Sequence, residues 1–298
     1  MKILLVGGLG YIGSYLYECL SAAGYEINIC DDIKRGNPAG LPCKYPFDYD
    51  NLSSRELSSY NVILWFAGHS SVQVSTQDPK GAIGNNMVNL LEFLKKLPSD
   101  KIKFIYASTA SLYTGESGFS KETARVVPNG NTYDISKFSF DYLSPTYHSN
   151  LYGLRMGTLA GYSKNIRPEL IFNQMCLSAY FNKKVYIANK SKYRSLLFLS
   201  DLAEIVSILL TQADTTPGFY NCASYSFSIE QLASTIANHF NAELIELPNS
   251  ETYSFQIDVS KIVALGYAPT KSFEEQIDLF SRKIHENEKN LVHMVRGV

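Results

Sequence analysis

The segment NTYDISK, residues 131–137, places a tyrosine and a lysine four positions apart. Residues with this spacing lie on one face of an α-helix, so Tyr133 and Lys137 could work as a proton-transfer pair. The spacing alone has little weight, because the chain contains 21 tyrosines. Three further windows have the same spacing, namely Tyr180/Lys184, Tyr186/Lys190 and Tyr267/Lys271. The neighbouring elements must therefore show which pair meets a cofactor.

Composition narrows the possible partners. With 298 residues, 45% of them apolar and 18% charged, the chain is typical of a soluble globular protein with one large or two smaller α/β domains. The net charge of −1 and dispersed basic residues argue against nucleic acid or an anionic membrane as partner. A small molecule is the better expectation.

The cysteines and the first residues of the sequence indicate the cellular compartment. The five cysteines contain no Cys-x-x-Cys, so neither a disulfide framework nor a zinc site is indicated. The strand-like start KILLVGG leaves no room for a leader, and no apolar run reaches the roughly 18 residues of a membrane helix. We expect a cytoplasmic protein without a metal ion.

Short apolar runs recur with helical segments between them. They are KILLV at 2–6, EINIC at 26–30, NVILWFA at 61–67 and KFIYAS at 103–108. Continuous rather than alternating apolar strands favour a parallel sheet that is covered on both faces. The first half therefore has the pattern of a doubly wound α/β sheet.

The first strand runs into GGLGYIG, residues 7–13. Glycines at this point allow a tight turn and let a helix N-terminus approach a pyrophosphate. Asp31 follows 18 residues after Gly13, at the end of the second strand, where a carboxylate binds the ribose 2′-hydroxyl. An acidic residue repels a 2′-phosphate, which favours NAD over NADP, although Arg35 lies close enough to keep NADP open.

Polar and small residues follow the third and fourth strands. Ala67 and Gly68 would let the cofactor lie close to the backbone, and Ser108 and Thr109 end the fourth strand. Ligands of such sheets bind beyond the carboxyl ends of the strands, so these residues should face a cofactor cleft. The next helical segment carries Tyr133, which singles out this pair among the four windows.

Such a set suits hydride transfer coupled to proton transfer at a hydroxyl or ketone. Free tyrosine titrates near 10, so a phenolate at neutral pH needs roughly 4 kcal/mol of stabilisation for three units. Lys137 and a nicotinamide cation would both favour the phenolate. Thr109 would hold the substrate oxygen within reach of Tyr133.

Over nearly its whole length, the chain resembles the extended short-chain dehydrogenase/reductase family, in particular its NAD-dependent nucleotide-sugar epimerases and dehydratases. The similarity includes GGLGYIG, NVILWFAGHSSV, FIYASTASLYTG, LRMGTLAGYS at 154–163 and RSLLFLSDLAEIV at 194–206. The resemblance implies a Rossmann-type sheet with a smaller C-terminal α/β substrate lobe. It places the NAD-binding domain at 1–155, with a return segment near 194–222, and the nucleotide-sugar lobe mainly at 156–298.

The resemblance also implies roles for individual residues. Thr109, Tyr133 and Lys137 match the catalytic set, while Arg194 and Thr158, together with Thr109, would contact the nucleotide-diphosphate sugar. A homodimer through the helix of the Tyr-Lys pair is also implied, with residues 138–143 offering apolar side chains. The residues expected to bind NAD are Gly7, Gly10, Tyr11, Ile12, Asp31, Asp48, Ala67, Gly68, Asn86, Ser108, Tyr133 and Lys137.

Departures from the family pattern restrict the reaction. Ala110 and Ser111 stand where the dehydratases carry an Asp-Glu pair, so dehydration is not expected. A keto-sugar epimerase or oxidoreductase remains, acting at C4 of the sugar. Two alternatives stay open: an NAD(P)H-dependent reductase of a 4-keto sugar, and a non-catalytic NAD-binding protein, suggested by altered substrate contacts such as Thr158.

Overall fold

A computed structural model describes residues 1–128, 130–212 and 214–295. Strands β1 to β14 are, in chain order, Lys2–Val6, Glu26–Cys30, Cys43–Tyr45, Val62–Trp65, Lys103–Thr109, Phe119–Ser120, Leu151–Met156, Thr158–Ala160, Lys184–Ile187, Tyr193–Phe198, Gly218–Cys222, Tyr225–Ser228, Glu243–Glu246 and Gln256–Ile257. Helices α1 to α12 are Tyr11–Ala22, Ser54–Leu57, Val72–Gln77, Pro79–Ile83, Asn89–Lys96, Thr132–Leu143, Ile171–Asn182, Leu199–Thr211, Ile229–Phe240, Ser260–Val263, Phe273–Glu286 and Glu288–Val295.

Seven strands form one parallel sheet in the order β11-β7-β5-β4-β1-β2-β3. Strand β1 pairs with β2 on one side and with β4 on the other, so the order of the strands reverses at β1. Sheets of this kind bind ligands beyond the carboxyl ends of the strands that flank such a reversal. The predicted doubly wound Rossmann-type sheet is confirmed.

Helices cover both faces of this sheet because its strands are apolar on both sides. Successive side chains of a strand point to opposite faces. Leu5 of β1 therefore packs in a cluster with Leu16 of α1 and Ile205 of α8, whereas Leu4 packs in a second cluster that contains Phe93 of α5 and Phe140 of α6. The two clusters fix α1 and α6 at the sheet, and these two helices carry the glycine loop and the Tyr-Lys pair.

The C-terminal lobe has a core of its own. Strands β8, β10 and β12 form a three-stranded sheet, and β9 pairs with β13. Helices α7, α9 and α11 enclose the core of this lobe. The predicted return segment, 194–222, divides between the lobes: β10 pairs within the small sheet, whereas α8 packs on α1 and β11 forms an edge of the central sheet.

Candidate active site

The loop between β1 and α1 turns tightly because its glycines admit close backbone contacts. Gly7 has φ +79°, and a Cβ there would lie 2.6 Å from the backbone nitrogen of Ala67; positive φ favours glycine. A Cβ at Gly13 would lie 2.2 Å from the carbonyl oxygen of Gly7. Gly10 precedes α1 without a side-chain cap, which leaves the first N–H groups of the helix free to bind an anion.

A cavity of about 460 Å³ lies beside this loop, at the carboxyl ends of β1 and β4. Its volume is within the range of small-molecule sites, roughly 300–1,000 Å³. An uncapped helix N-terminus and an aspartate at one cavity fit the pyrophosphate and ribose of a dinucleotide. The residues predicted to bind NAD that line the cavity are Gly7, Gly10, Tyr11, Ile12, Asp31, Asp48, Ala67 and Gly68.

Asp31 is anchored by backbone donors. One carboxylate oxygen accepts the N–H of Leu9 at 3.0 Å and the other accepts the N–H of Ile33 at 2.9 Å. Burial raises the pKa of Asp31, and these two donors oppose the shift. Each oxygen keeps a further lone pair, which leaves the carboxylate able to accept ribose hydroxyls. Lys34 and Arg35 line the same cavity.

The Tyr133/Lys137 pair is distinguished from the other three windows by its place in the fold. Both residues lie on α6, in the first half of that helix. In the other windows the tyrosine and the lysine do not share a helix, since those tyrosines lie in α7, in β9 and in the loop between α10 and α11. The pair on α6 lies on a helix that packs against the central sheet.

Thr109, Tyr133 and Lys137 come together where β5 meets α6. Thr109 ends β5, and its hydroxyl neighbours that of Tyr133. Lys137 is 7% exposed, and its ammonium donates to the carbonyl of Ala107 at 2.9 Å. The structure thus joins the three residues that the sequence predicts as catalytic.

The charges around these groups favour a protonated tyrosine. Burial raises the pKa of Tyr133, and the negative charge of Asp134 acts in the same direction, whereas Arg167 acts against it. Burial lowers the pKa of Lys137 to about 8. A phenolate at Tyr133 therefore requires additional positive charge beside it.

Ser108 does not take the predicted place in the cofactor cavity. Its hydroxyl donates to Asp141 at 2.8 Å. The same carboxylate accepts the hydroxyl of Tyr106 at 2.9 Å and pairs with Nε of Arg155 at 3.3 Å. A serine has one proton to donate, so Ser108 belongs to a buried network that joins β5, β7 and α6.

Asn86 also differs from its predicted role beside the nicotinamide. It is 1% exposed, and its oxygen accepts the N–H of His69 at 2.9 Å. Its nitrogen donates to the carbonyl of His69 at 3.0 Å and to the hydroxyl of Ser136 at 3.1 Å. With both of its donors engaged, Asn86 holds the loop after β4 against α6 and keeps His69 at the cavity.

Arg194 is a buried cation in the small sheet. It is 7% exposed, and it donates to Thr252 at 2.6 Å. No carboxylate of the residues that the structure describes forms a salt bridge with it, and burial lowers its pKa to about 10. Because a buried charge without a partner is costly, this position suits an anionic ligand. Thr158 lies in β8 of the same sheet.

Tyr253 lies between Arg194 and the start of the helix that carries Tyr133. The Arg194 guanidinium carbon lies 6.0 Å from the centre of the Tyr253 ring. The hydroxyl of Tyr253 accepts a hydrogen bond from Asn131 at 3.3 Å, and Asn131 is the N-cap of the helix that carries Tyr133. Tyr253 thus contacts both the Arg194 guanidinium and the N-cap of the helix that carries Tyr133.

Sequence reasoning missed several residues at the cavity. Phe47 and Tyr49 flank Asp48 after β3, and their position at a strand end was a usable signal. Others carry no local signature, because contacts outside their own segment place them at the cavity, as the ring of His69 does for Asp78 at 3.3 Å. The missed lining residues are Asp32, Lys34, Phe47, Tyr49, Phe66, Ser70, Val74, Asp78 and Asn85.

Membrane-spanning helices and metal sites are both absent from the described ranges. None of the helices there has the length and apolar character needed to cross a membrane. Within the same ranges, no three His, Cys, Asp or Glu side chains are grouped so that they could hold a metal ion.

Comparisons with known proteins agree with this geometry. Residues 3–223 match the model of the NAD dependent epimerase/dehydratase family. The ADP-L-glycero-D-manno-heptose-6-epimerase of Brachyspira hyodysenteriae is 25% identical over 296 residues, which cover 89% of this chain and 92% of that protein.

Two solved structures have the same fold. The UDP-glucuronic acid 4-epimerase of Bacillus cereus, solved with UDP-glucuronic acid and NAD, is 24% identical with a TM-score of 0.82, over 96% of this chain and 99% of that one. The NAD-dependent NDP-hexosamine 5,6-dehydratase TunA is 19% identical with a TM-score of 0.84, over 98% and 100%.

Proposed function

Because this chain belongs to the NAD dependent epimerase/dehydratase family, as its sequence motifs imply, and NAD is therefore its cofactor, we propose that it epimerises a nucleotide-diphosphate sugar at C4 through a keto-sugar intermediate. The observation that carries this proposal is the position of Tyr133. Its hydroxyl lies beside Thr109 at the carboxyl end of β5, next to the strands whose ends flank the cofactor cavity.

Bound at the cavity, NAD would supply the acceptor for the hydride of the sugar carbon and the donor that returns it to the other face. Tyr133 removes the proton of the sugar hydroxyl and later gives it back to the ketone oxygen. Thr109 holds that oxygen in place. Lys137 lies one turn further along α6 and favours the ionised form of Tyr133 by its positive charge.

The residues after Thr109 support epimerisation over dehydration. Elimination of water needs an acid and a base at the sugar. Ala110 has no ionisable group, and the hydroxyl of Ser111 donates to Asp134 at 2.5 Å. A dehydratase is nevertheless among the proteins of the same fold, so the fold itself does not distinguish the two reactions. The residue types at 110 and 111 are what supports epimerisation in this proposal.

The unpaired guanidinium of Arg194 is the proposed contact for the pyrophosphate of the substrate. Replacing Arg194 with Met should raise the KM for the nucleotide sugar roughly ten- to hundred-fold, since hydrogen bonds to a charged group contribute about 1.5–3 kcal/mol. The melting temperature should not fall, because the change removes a buried charge without a partner.

Steady-state kinetics and thermal unfolding would check this expectation. Arg282→Met is the matched control, since Arg282 is exposed on α11. An Arg194→Met enzyme with an unchanged KM would show that the guanidinium does not bind substrate.

The second candidate is a reductase of a nucleotide-linked 4-keto sugar that uses NADPH. The observation in its favour is that Lys34 and Arg35 line the cofactor cavity together with Asp31, where they could pair with a 2′-phosphate. The two reactions differ in their use of cofactor. The reductase consumes one added reduced cofactor for each product, whereas the epimerase consumes none.

We also propose that the protein is a homodimer that pairs through α6. Ile135, Phe138 and Tyr142 follow a helical spacing on the outer side of this helix, with Ile135 39% and Tyr142 74% exposed. The predicted interface segment 138–143 is thus only partly available, because Phe140 lies in the core. Exposed apolar side chains on one helix face are typical of an interface.

Replacing Tyr142 with Glu should convert the dimer to a monomer, because a carboxylate in an apolar interface is costly to desolvate. Size-exclusion chromatography with light scattering would measure the mass. Phe119→Glu, at an apolar residue that is 59% exposed on β6, should leave the dimer intact. A wild-type monomer, or a Tyr142→Glu dimer, would contradict this interface.

The state of the cysteines bears on the compartment in which the protein works. All five cysteines are free, as is usual in reducing compartments. We propose a cytoplasmic enzyme that supplies sugars for polysaccharide biosynthesis.

The proposed function is tested by incubating the protein with UDP-glucose, UDP-glucuronic acid, an ADP-linked heptose and the corresponding GDP-, CDP- and dTDP-sugars. Products are identified by NMR, without added cofactor and again with NADH or NADPH. We expect an epimer in the absence of added cofactor. Turnover only with stoichiometric consumption of NADPH would establish the reductase instead.

A further inference from the structure

A buried carboxylate lies directly behind the reaction residues. Asp134, which follows Tyr133 in the chain, is 0% exposed. Two polar side chains contact it: the hydroxyl of Ser111 at 2.5 Å and the amide nitrogen of Asn131 at 2.7 Å. Neither is a cation, and no Lys, Arg or His forms a salt bridge with it within the described ranges. Such a group is costly to bury unless its donors are fixed.

The orientation of Asn131 is fixed by the backbone. Its oxygen accepts the N–H of Asp134 at 2.9 Å as the N-cap of α6. Because a backbone N–H only donates, the nitrogen of Asn131 must be the atom that faces Asp134. That nitrogen donates a hydrogen bond to one carboxylate oxygen, and Ser111 contacts the other oxygen.

The directions of the next two hydrogen bonds follow from proton count. Burial raises the pKa of Asp134, whereas the hydrogen bonds from Ser111 and Asn131 lower it. These two donors favour the ionised carboxylate, which only accepts, so Ser111 donates its single proton to Asp134. The hydroxyls of Thr109 and Ser111 are 2.7 Å apart, and Ser111 has no second proton to donate. Thr109 must therefore donate to Ser111. The N–H of Ser111 also donates to the Thr109 hydroxyl at 3.2 Å. Thr109 then has no free proton and one further lone pair, which can accept from the neighbouring Tyr133 hydroxyl or from a substrate hydroxyl.

We propose that Asp134 is a positioning residue which, through Ser111, turns the proton of Thr109 away from the reaction centre, so that Thr109 acts there only as a hydrogen-bond acceptor. A sugar hydroxyl can donate to Thr109 in this state, whereas a ketone oxygen cannot. Tyr133 is then the one donor of the pair available to the ketone.

This polarity has a consequence that rests on the proposed function. It favours the bound alcohol over the bound keto sugar, so the keto form is held briefly and is reduced before it leaves. If Thr109 were free to donate, the ketone would gain a second donor, and more of the enzyme would rest as keto sugar with reduced cofactor.

The polarity itself is tested without any substrate. Neutron diffraction from crystals of the deuterated protein with NAD at neutral pH shows hydroxyl deuterium directly. We expect the deuterium of Ser111 on the line to Asp134 and that of Thr109 on the line to Ser111. Deuterium on Thr109 that points towards Tyr133 would overturn the proposal, whether or not a substrate has been identified.

Variants test whether the polarity affects turnover. In Asp134→Asn, an amide replaces the two accepting oxygens of the carboxylate. If the new amide nitrogen faces Ser111, it donates to Ser111 and reverses the direction of the hydrogen bonds from there to Thr109. If it faces the side-chain nitrogen of Asn131 instead, two donors meet without an acceptor. We expect kcat to fall roughly ten-fold with little change in KM, and the resting level of reduced cofactor, read by its near-ultraviolet absorbance during turnover, to rise.

Ser111→Ala removes the hydroxyl that links Asp134 to Thr109. It tests the same polarity even if the aspartate variant fails to fold. It should also lower kcat, Ser111→Thr should retain activity because it keeps a hydroxyl, and the double variant with Asp134→Asn should be no slower than the slower single variant. Asp201→Asn is the control, since Asp201 is also 0% exposed but lies on α8. Additive effects of the two changes, or an unchanged kcat in both single variants, would contradict the proposal.

Discussion

Tyr133→Phe is expected to lower kcat by about 10²- to 10⁴-fold, the usual contribution of a positioned proton-transfer group. Phenylalanine keeps the ring and removes the hydroxyl that neighbours Thr109. NAD binding should stay close to that of the wild type, because the glycine loop and Asp31 are untouched. Turnover of the nucleotide sugar and equilibrium binding of NAD would be measured on the same preparation.

The chain offers a matched control for this variant. Tyr186 also has a lysine four residues later, but it lies in β9 of the C-terminal lobe. Tyr186→Phe should keep turnover within a factor of about two, since an exposed or half-buried tyrosine outside the site contributes little to a transition state. Equal losses in both variants, or no loss in Tyr133→Phe, would mean that the tyrosine on α6 is not the acid and base.

The second large effect is expected on stability. Asp141→Ala should lower the free energy of unfolding by about 3–5 kcal/mol, the usual cost of removing one partner of a buried ion pair. Asp141 is 3% and Arg155 5% exposed. The change leaves the guanidinium uncompensated and removes the acceptor of the hydroxyls of Tyr106 and Ser108.

Denaturant unfolding followed by circular dichroism would measure this loss. The double variant Asp141→Leu with Arg155→Met should be more stable than Asp141→Ala, because apolar side chains of similar size can replace a buried pair. A loss below about 1 kcal/mol in Asp141→Ala would show that the network around Ser108 is not a structural element.

Much of the fold was predictable because it rests on local patterns. Continuous apolar runs mark the strands of a sheet that is buried on both faces, and glycines at 7, 10 and 13 mark the turn that a dinucleotide requires. The ends of β2 and β5 then place Asp31 and Thr109 at one edge of the sheet. These arguments need only spacing and the direction of parallel strands, and the sequence contains both.

The polar networks were not predictable in the same way. Ser108 and Asn86 were predicted to contact NAD, but both donate their hydrogen bonds to residues of other elements. Ser108 donates to Asp141, and Asn86 donates to His69 and Ser136. A hydroxyl at a strand end can face the cleft or the helix behind it, and residue type does not decide between them.

Family membership settles one of the open alternatives. A non-catalytic NAD-binding protein was left possible by altered substrate contacts such as Thr158, but the chain belongs to a family of enzymes. In the structure, Thr109, Tyr133 and Lys137 lie together where β5 meets α6.

The central claim is that a hydride leaves C4 and returns to the same carbon. A nucleotide sugar from the panel that carries deuterium at C4 tests it most directly, with the product analysed by NMR and mass spectrometry. We predict an epimer that retains the deuterium at C4, formed without added cofactor and without uptake of solvent protons on carbon. Loss of the deuterium to solvent or to added cofactor, or a product that lacks one water, would contradict the account.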